Sequence, residues 1–208
     1  MIVLAGTIGA GKTSLTKLLS DHLNSQAFYE SVDDNPILPL FYKDPKKYAF
    51  LLQIYFLNKR LDSIKKANSN KNNVMDRSIY EDALLFQLNA DLGRATTTEV
   101  DIYKSLLDNM MEELENSSYQ KNPDLLIYID VSFDTMLKRI KKRGRSYEQI
   151  ENDPSLYEYY KELTSRYNDW YKNYNYSPKI KIDGDKYDFV EDQNAANEVL
   201  KQIDELLK

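Results

Sequence analysis

The chain has 208 residues, 42% hydrophobic and 29% charged, with a net charge of −5, the proportions of one folded domain and not of a disordered chain. The acidic balance speaks against general nucleic-acid binding, which takes a broad basic excess. The lack of cysteine and the single histidine, His22, exclude disulfides, thiolate catalysis, zinc clusters and a His-based triad.

The opening run Ile2–Ala5 is short and apolar and predicts a buried strand. Gly6–Gly11 is a loop, and Leu15, Leu18, Leu19 and Leu23 give helical spacing over Lys12–Asn24. Ala27–Glu30 predicts a second strand, and the two prolines in Asn35–Pro39 predict a break. Phe50, Leu51, Ile54, Leu57, Leu61 and Ile64 mark a long amphipathic helix over Lys46–Lys66. Beyond the polar stretch Ser69–Asn73, Val74–Asp76 reads as a brief strand and Ile79–Leu92 as a helix. Thr97, Thr98, Glu99 and Asp101 predict a helix start, with the helix running to about Asn116. Leu125–Val131 is the next strand, Phe133–Lys142 and Pro154–Tyr174 are helices, Lys179–Asp183 is the last strand and Val190–Leu207 the last helix. Strands alternating with helices throughout predict an α/β domain over residues 1–208, a five-stranded parallel sheet with helices on both faces. No stretch reaches the ~20 apolar residues of a membrane span, and the first residues lack the basic flank of a secretory signal. A cytoplasmic protein is expected.

Gly6-Thr7-Ile8-Gly9-Ala10-Gly11-Lys12-Thr13 is a complete Walker A match, followed by Ser14, between a predicted strand and a predicted helix. Glycines let backbone N–H groups surround a phosphate, and the helix after the loop presents its positive end to the anion. Lys12 would reach the β- and γ-phosphates of ATP, and the Thr13 hydroxyl would ligate Mg²⁺. A GTPase switch would add N-K-x-D, but Asn58-Lys59 and Asn70-Lys71 continue as Arg60-Leu61 and Asn72-Asn73.

Three further segments fall in a meaningful order. Glu30 ends the second predicted strand, Asp76-Arg77-Ser78 ends the third, and Arg139-x-x-x-Arg143-Gly144-Arg145 follows the fourth. With the P-loop, this set resembles the deoxynucleoside kinase family, which contains deoxycytidine, deoxyguanosine and deoxyadenosine kinases. It is closest in type to the bacterial deoxyadenosine/deoxyguanosine kinases. The resemblance covers nearly the whole chain. It implies a P-loop kinase fold with an arginine-rich lid at about 139–151, and transfer of a phosphoryl group from Mg·ATP to the 5′-hydroxyl of a deoxynucleoside.

On that resemblance Glu30 is the general base, with Asp76 as the alternative. Asp76 also helps to hold Mg²⁺ beside Thr13, and Arg77 supports the acceptor oxygen and the transferring phosphate. Without the resemblance, Glu30 reads equally well as a solvated strand end. Arg139, Arg143 and Arg145 are lid residues over the ATP phosphates; by themselves they read as a solvated helix face. Tyr42 and Glu148 match the pair that holds the sugar 3′-hydroxyl, Gln53 the glutamine that reads the base edge, Arg60 and Asp82 a guanidinium–carboxylate pair beside it, and Phe86 the aromatic that stacks on the base. Asp188-Phe189 resembles the loop that contacts the adenine of ATP, one residue further from the strand than is usual, and reads equally as a plain loop. A carboxylate at position 82 accepts from an exocyclic amine and repels a thymine carbonyl, and the resemblance to bacterial members favours purines: deoxyadenosine first, then deoxyguanosine, then deoxycytidine. The family also implies a homodimer, for which the long 46–66 and 97–116 helices are suited, and inhibition by an end-product triphosphate. A thymidylate-type nucleoside monophosphate kinase is the nearest rival. Its acceptor phosphate calls for a cation next to Glu30, where this chain has Tyr29. A non-catalytic nucleotide-binding module is the rival from another class.

Overall fold

The computed structural model describes every residue except Ser31, Asp33, Ser118 and Lys208. Five parallel strands, β1 (Ile2–Ala5), β2 (Ala27–Phe28), β3 (Val74–Asp76), β4 (Leu125–Asp130) and β5 (Lys179–Asp183), form one sheet in the order β2-β3-β1-β4-β5. Ile2 lies opposite Val74 on one side and Leu125 on the other. The helices are α1 (Lys12–His22), α2 (Leu38–Lys43), α3 (Pro45–Ala67), α4 (Ile79–Asp91), α5 (Thr97–Asn116), α6 (Phe133–Arg143), α7 (Ser155–Asn173) and α8 (Gln193–Asp204). The central strands are buried on both faces, so β1 and β4 are near-continuous apolar runs without alternation.

The chain leaves β1 toward β3 and β2 on one side and later returns to β4 on the other. The loop after β1 therefore opens at the switch point of the sheet, where open α/β folds leave a crevice beyond the strand ends. Glu30, Asp76 and the P-loop all lie at this carboxyl-terminal edge.

Most element ends fall within two residues of the sequence reading, and a few details differ in ways that matter. The stretch around Pro36 and Pro39 is not wholly broken: Pro39 occupies the first turn of α2, where a missing N–H costs nothing. Strand β2 ends at Phe28, so Glu30 sits two residues past it, in a loop. Helix α5 does begin at Thr97, but its cap is Thr96, which is joined to Glu99 in a reciprocal capping box. Helix α8 starts at Gln193, because the Asp192 side chain caps it by accepting from Asn194 N–H. A short 3₁₀ turn at Ser146–Glu148 lies within the expected lid.

Candidate active site

The P-loop backbone is possible only with glycine at its start. Gly6 has φ +149°, and a Cβ there would lie 2.8 Å from the Ile129 carbonyl oxygen. Lys12 is buried, and its ammonium donates to the carbonyls of Gly6 (2.8 Å) and Thr7 (2.9 Å), folded over the loop it is to serve. Burial first, and Arg77 second, lower its pKa to about 8. The Thr13 hydroxyl donates to Asp76 Oδ2 at 2.5 Å. Asp76 Oδ1 is buried and has no hydrogen-bond partner among the described residues.

The acceptor side is a lattice of alternating charges. Glu30 Oε1 receives Arg60 Nη2 at 3.0 Å and lies 2.7 Å from Arg77 Nε. The second contact is an ion pair without a directed hydrogen bond, since the Arg77 Nε–H points elsewhere. Arg60 also donates to the Asp76 carbonyl at 3.0 Å and to Asp82 Oδ2 at 3.3 Å. The expected Arg60–Asp82 pair therefore exists, but it is not a private pair: one guanidinium ties together Glu30, Asp82 and the end of β3. Burial by itself would raise the Glu30 pKa, yet Arg77, Arg60 and Lys12 together hold it below the usual value. Asp82 is pushed up to about 6 by burial, against the pull of Arg60. Arg77 has a left-handed backbone, φ 96°, unusual for a residue with a Cβ.

Helix geometry puts Gln53 and Arg60, two turns apart, on the buried face of α3. Gln53 Oε1 has no partner among the described residues. Phe86 is fully enclosed, with ring centroids 6.0 Å from Phe50 and 5.1 Å from Tyr103. The expected stacking residue is thus part of the core wall. Tyr103, which the sequence reading missed, also buries a hydroxyl without a partner among the described residues, in the field of Asp82 and Arg60.

Tyr42 on α2 and Glu148 on the 3₁₀ turn come together from distant segments. The Tyr42 pKa is raised well above its usual value by burial first, with Glu148 among the charges that add to it. Glu148 is itself buried and holds Arg143 (2.5 Å) and Arg145 (3.5 Å). Two of the three lid arginines therefore rest on the expected sugar carboxylate. Arg139 instead bridges Ala10 O (2.7 Å) and Gly184 O (2.8 Å), locking the P-loop to the segment after β5. In that segment Phe189 packs against Gly11, where a Cβ would lie 3.1 Å from its ring, and the Asp188 carboxylate accepts from the N–H groups of Val190 and Glu191.

The deoxynucleoside kinase family model matches residues 2–208. The chain belongs to the deoxynucleoside kinase family. It is 64% identical to the deoxyguanosine kinase of Lactobacillus johnsonii, over 100% of this chain and 92% of that protein. It is 62% identical to the deoxyadenosine kinase of Lactobacillus acidophilus, over 100% of this chain and 96% of that protein. Among solved structures, deoxyadenosine kinase from M. mycoides with bound dCTP superimposes with a TM-score of 0.81 at 31% identity, over 99% of this chain and 100% of that one. The fold is that of the P-loop kinases, and the chain is an ATP-dependent deoxynucleoside kinase, as its motifs imply. The monophosphate kinase and non-catalytic readings fall away.

Glu81 and Tyr167 are also at this site and were missed. The spacing Ser78-x-x-Glu81 is a capping-box signal that would have located the first; nothing local marks the second. A cavity of about 990 Å³ lies away from the P-loop, between α4, α5 and α7, lined by Tyr80, Leu84, Leu107, Met111 and Trp170 among others.

Proposed function

We propose that this kinase phosphorylates the 5′-hydroxyl of purine deoxynucleosides, deoxyadenosine first, then deoxyguanosine, with deoxycytidine third. The observation that carries the reading is the convergence of Arg60 and Arg77 on Glu30 Oε1 at the switch-point crevice. These contacts keep Glu30 ionised and aimed. In the reaction the 5′-oxygen attacks the γ-phosphorus, the bond to the bridging oxygen of ADP breaks, and the hydroxyl proton passes to Glu30. Asp76 is the weaker choice of base, because its Oδ2 already takes the Thr13 hydroxyl. Arg77 supports the acceptor oxygen and the transferring phosphoryl group, and Lys12 turns from the loop carbonyls to the β/γ-phosphates.

Thr13 Oγ1 and the Asp76 carboxylate fit a magnesium ion: they are adjacent hard oxygens, one carboxylate oxygen has no partner among the described residues, and such an ion takes only one or two protein ligands beside the phosphates. The ion would neutralise charge on the β- and γ-phosphates. Gly6 to Ser14 cradle the phosphates, with Arg139 bracing the loop and Arg143 and Arg145 closing from the lid. Asp188 and Phe189 lie at the edge of the ATP site. Tyr42 and Glu148 take the 3′-hydroxyl. Gln53 and Asp82 read the base, with Arg60 behind Asp82 and Phe86 as the wall.

We also propose feedback inhibition by a deoxynucleoside triphosphate, supported by the M. mycoides deoxyadenosine kinase structures with bound dCTP and dATP. Two further readings are a homodimer and a cytoplasmic location. Of the two helices named for the dimer, α5 lines the cavity, with both apolar and charged side chains, and α3 does not. No helix among the described residues is long and apolar enough to cross a membrane. ADP release on adding each of the four deoxynucleosides, dAMP and dTMP tests the substrate reading. Deoxyadenosine and deoxyguanosine should give the highest kcat/KM; preference for thymidine or a monophosphate refutes it.

A further inference from the structure

Glu81 is a fully buried carboxylate with four partners from three parts of the fold. Its Oε1 accepts from the Gly6 N–H at 2.9 Å and from the Tyr167 hydroxyl at 2.9 Å. The same oxygen lies 3.6 Å from Arg77 Nη1. Its Oε2 accepts from the Ser78 N–H at 2.8 Å, closing the cap of α4. Tyr167 on α7 completes the ring by accepting from Arg77 Nη1 at 3.3 Å.

A helix cap needs only the bond to Ser78. The other oxygen does something a cap does not require. It grips the first N–H of the P-loop, and the carbonyl of that same residue, Gly6, anchors Lys12. Through Tyr167 and its own charge it also fixes the far side of the Arg77 guanidinium, whose near side faces Glu30. Arg77 needs such support, because a left-handed backbone at a residue with a Cβ persists only where the surroundings over-determine it.

We infer that Glu81, with Tyr167, is a positioning pair that sets the ATP loop and the acceptor arginine in one frame, so that the distance from donor to acceptor is decided by a single carboxylate. This rests on the proposed role of Arg77 in transfer. Glutamine cannot replace Glu81, since its one oxygen serves either Gly6 and Tyr167 or Ser78, and its NH₂ then faces an N–H donor. Tyr167→Phe is the gentle probe: the ring, stacked on Tyr128 with an interplanar angle of 2°, keeps its packing.

The experiment measures kcat, KM for ATP and for deoxyadenosine, and Tm for Tyr167→Phe, Glu81→Gln, the double variant and Arg77→Lys. Tyr167→Phe should lower kcat by about 3- to 10-fold, the size of a lost hydrogen bond, with both KM values nearly unchanged and Tm lower by only a few degrees. Glu81→Gln should lower kcat by ~10²-fold, as a small misplacement of reacting groups does. The double variant should match Glu81→Gln alone, because both act through one network. Unchanged kcat in Tyr167→Phe overturns the inference even if Glu81→Gln does not fold. Losses that multiply in the double variant, or losses that follow Tm alone, overturn it too. Wild-type kcat in Arg77→Lys is a different failure, that of the role given to Arg77.

Discussion

Removing Arg60 should harm this enzyme far more than removing Asp82, although the two form one ion pair. Arg60→Met strips a donor from Glu30, from the Asp76 carbonyl and from Asp82, and leaves the buried Asp82 carboxylate without its cation while the half-buried Glu30 keeps only Arg77. Orphaning a buried charge costs about 3–5 kcal/mol. At ~2–4 °C per kcal/mol for a domain of this size, Tm should fall by roughly 6–20 °C. Asp82→Asn leaves Arg60 bonded to Glu30 and Asp76, and should cost only about 1–2 kcal/mol, or roughly 2–8 °C. The Arg60→Met deficit should also depend on pH. Asp82 already stands at about 6 against an ordinary 3.8, and losing Arg60 drives it higher. A carboxyl whose folded pKa is raised gives stability below 3.8 that disappears as pH rises through its folded pKa, so the deficit should be smaller at pH 5 than at pH 8. Adding Asp82→Ala to Arg60→Met removes one orphan and should recover part of the Tm. It should also raise the thymidine-to-deoxyadenosine ratio of kcat/KM by ~10- to 100-fold, as a carbonyl is no longer repelled, while kcat falls for every substrate because Glu30 has lost its anchor. Thermal unfolding and steady-state kinetics across four deoxynucleosides read all of this. Equal losses in Arg60→Met and Asp82→Asn would refute the bridging role, and an unchanged substrate order in the double variant would show that base choice lies elsewhere.

Glu30→Gln should retain deoxynucleoside binding and lose kcat by roughly 10²-fold or more; if Asp76→Asn abolishes turnover and Glu30→Gln does not, the two roles exchange. Burial lowers the Lys12 pKa to about 8, and bound phosphates would raise it again, so ATP binding at pH 8.5 should be accompanied by proton uptake. Calorimetry in two buffers of different ionisation heat measures this, and no uptake contradicts it. Lys12→Ala should fold normally and lose transfer, as circular dichroism and ADP release would show. Inhibition by dATP or dCTP should be competitive with ATP, since the triphosphate would use Lys12 and the lid arginines; a purely noncompetitive pattern excludes that arrangement.

Local chemistry by itself determined the phosphate loop, because glycine spacing, a preceding strand and a following helix are all consecutive in the chain. It determined the α/β class for the same reason: the period of apolar residues switches between strand and helix within short windows. It did not reveal α2, since Pro39 reads as a breaker until its first-turn position is known. Nor did it show that Arg60 belongs to Glu30 as much as to Asp82, or that Phe86 is core wall. Those facts depend on the approach of α3, α4 and α5 over the sheet, set by packing between residues far apart in sequence. Glu81 shows the division most clearly. Its bond to Ser78 is three residues long and legible in the spacing, whereas its bonds to Gly6 and Tyr167 span 75 and 86 residues. Only folding brings those groups together, and a buried carboxylate then collects every donor within its reach because leaving one unpaired in the interior costs more than the bond itself contributes.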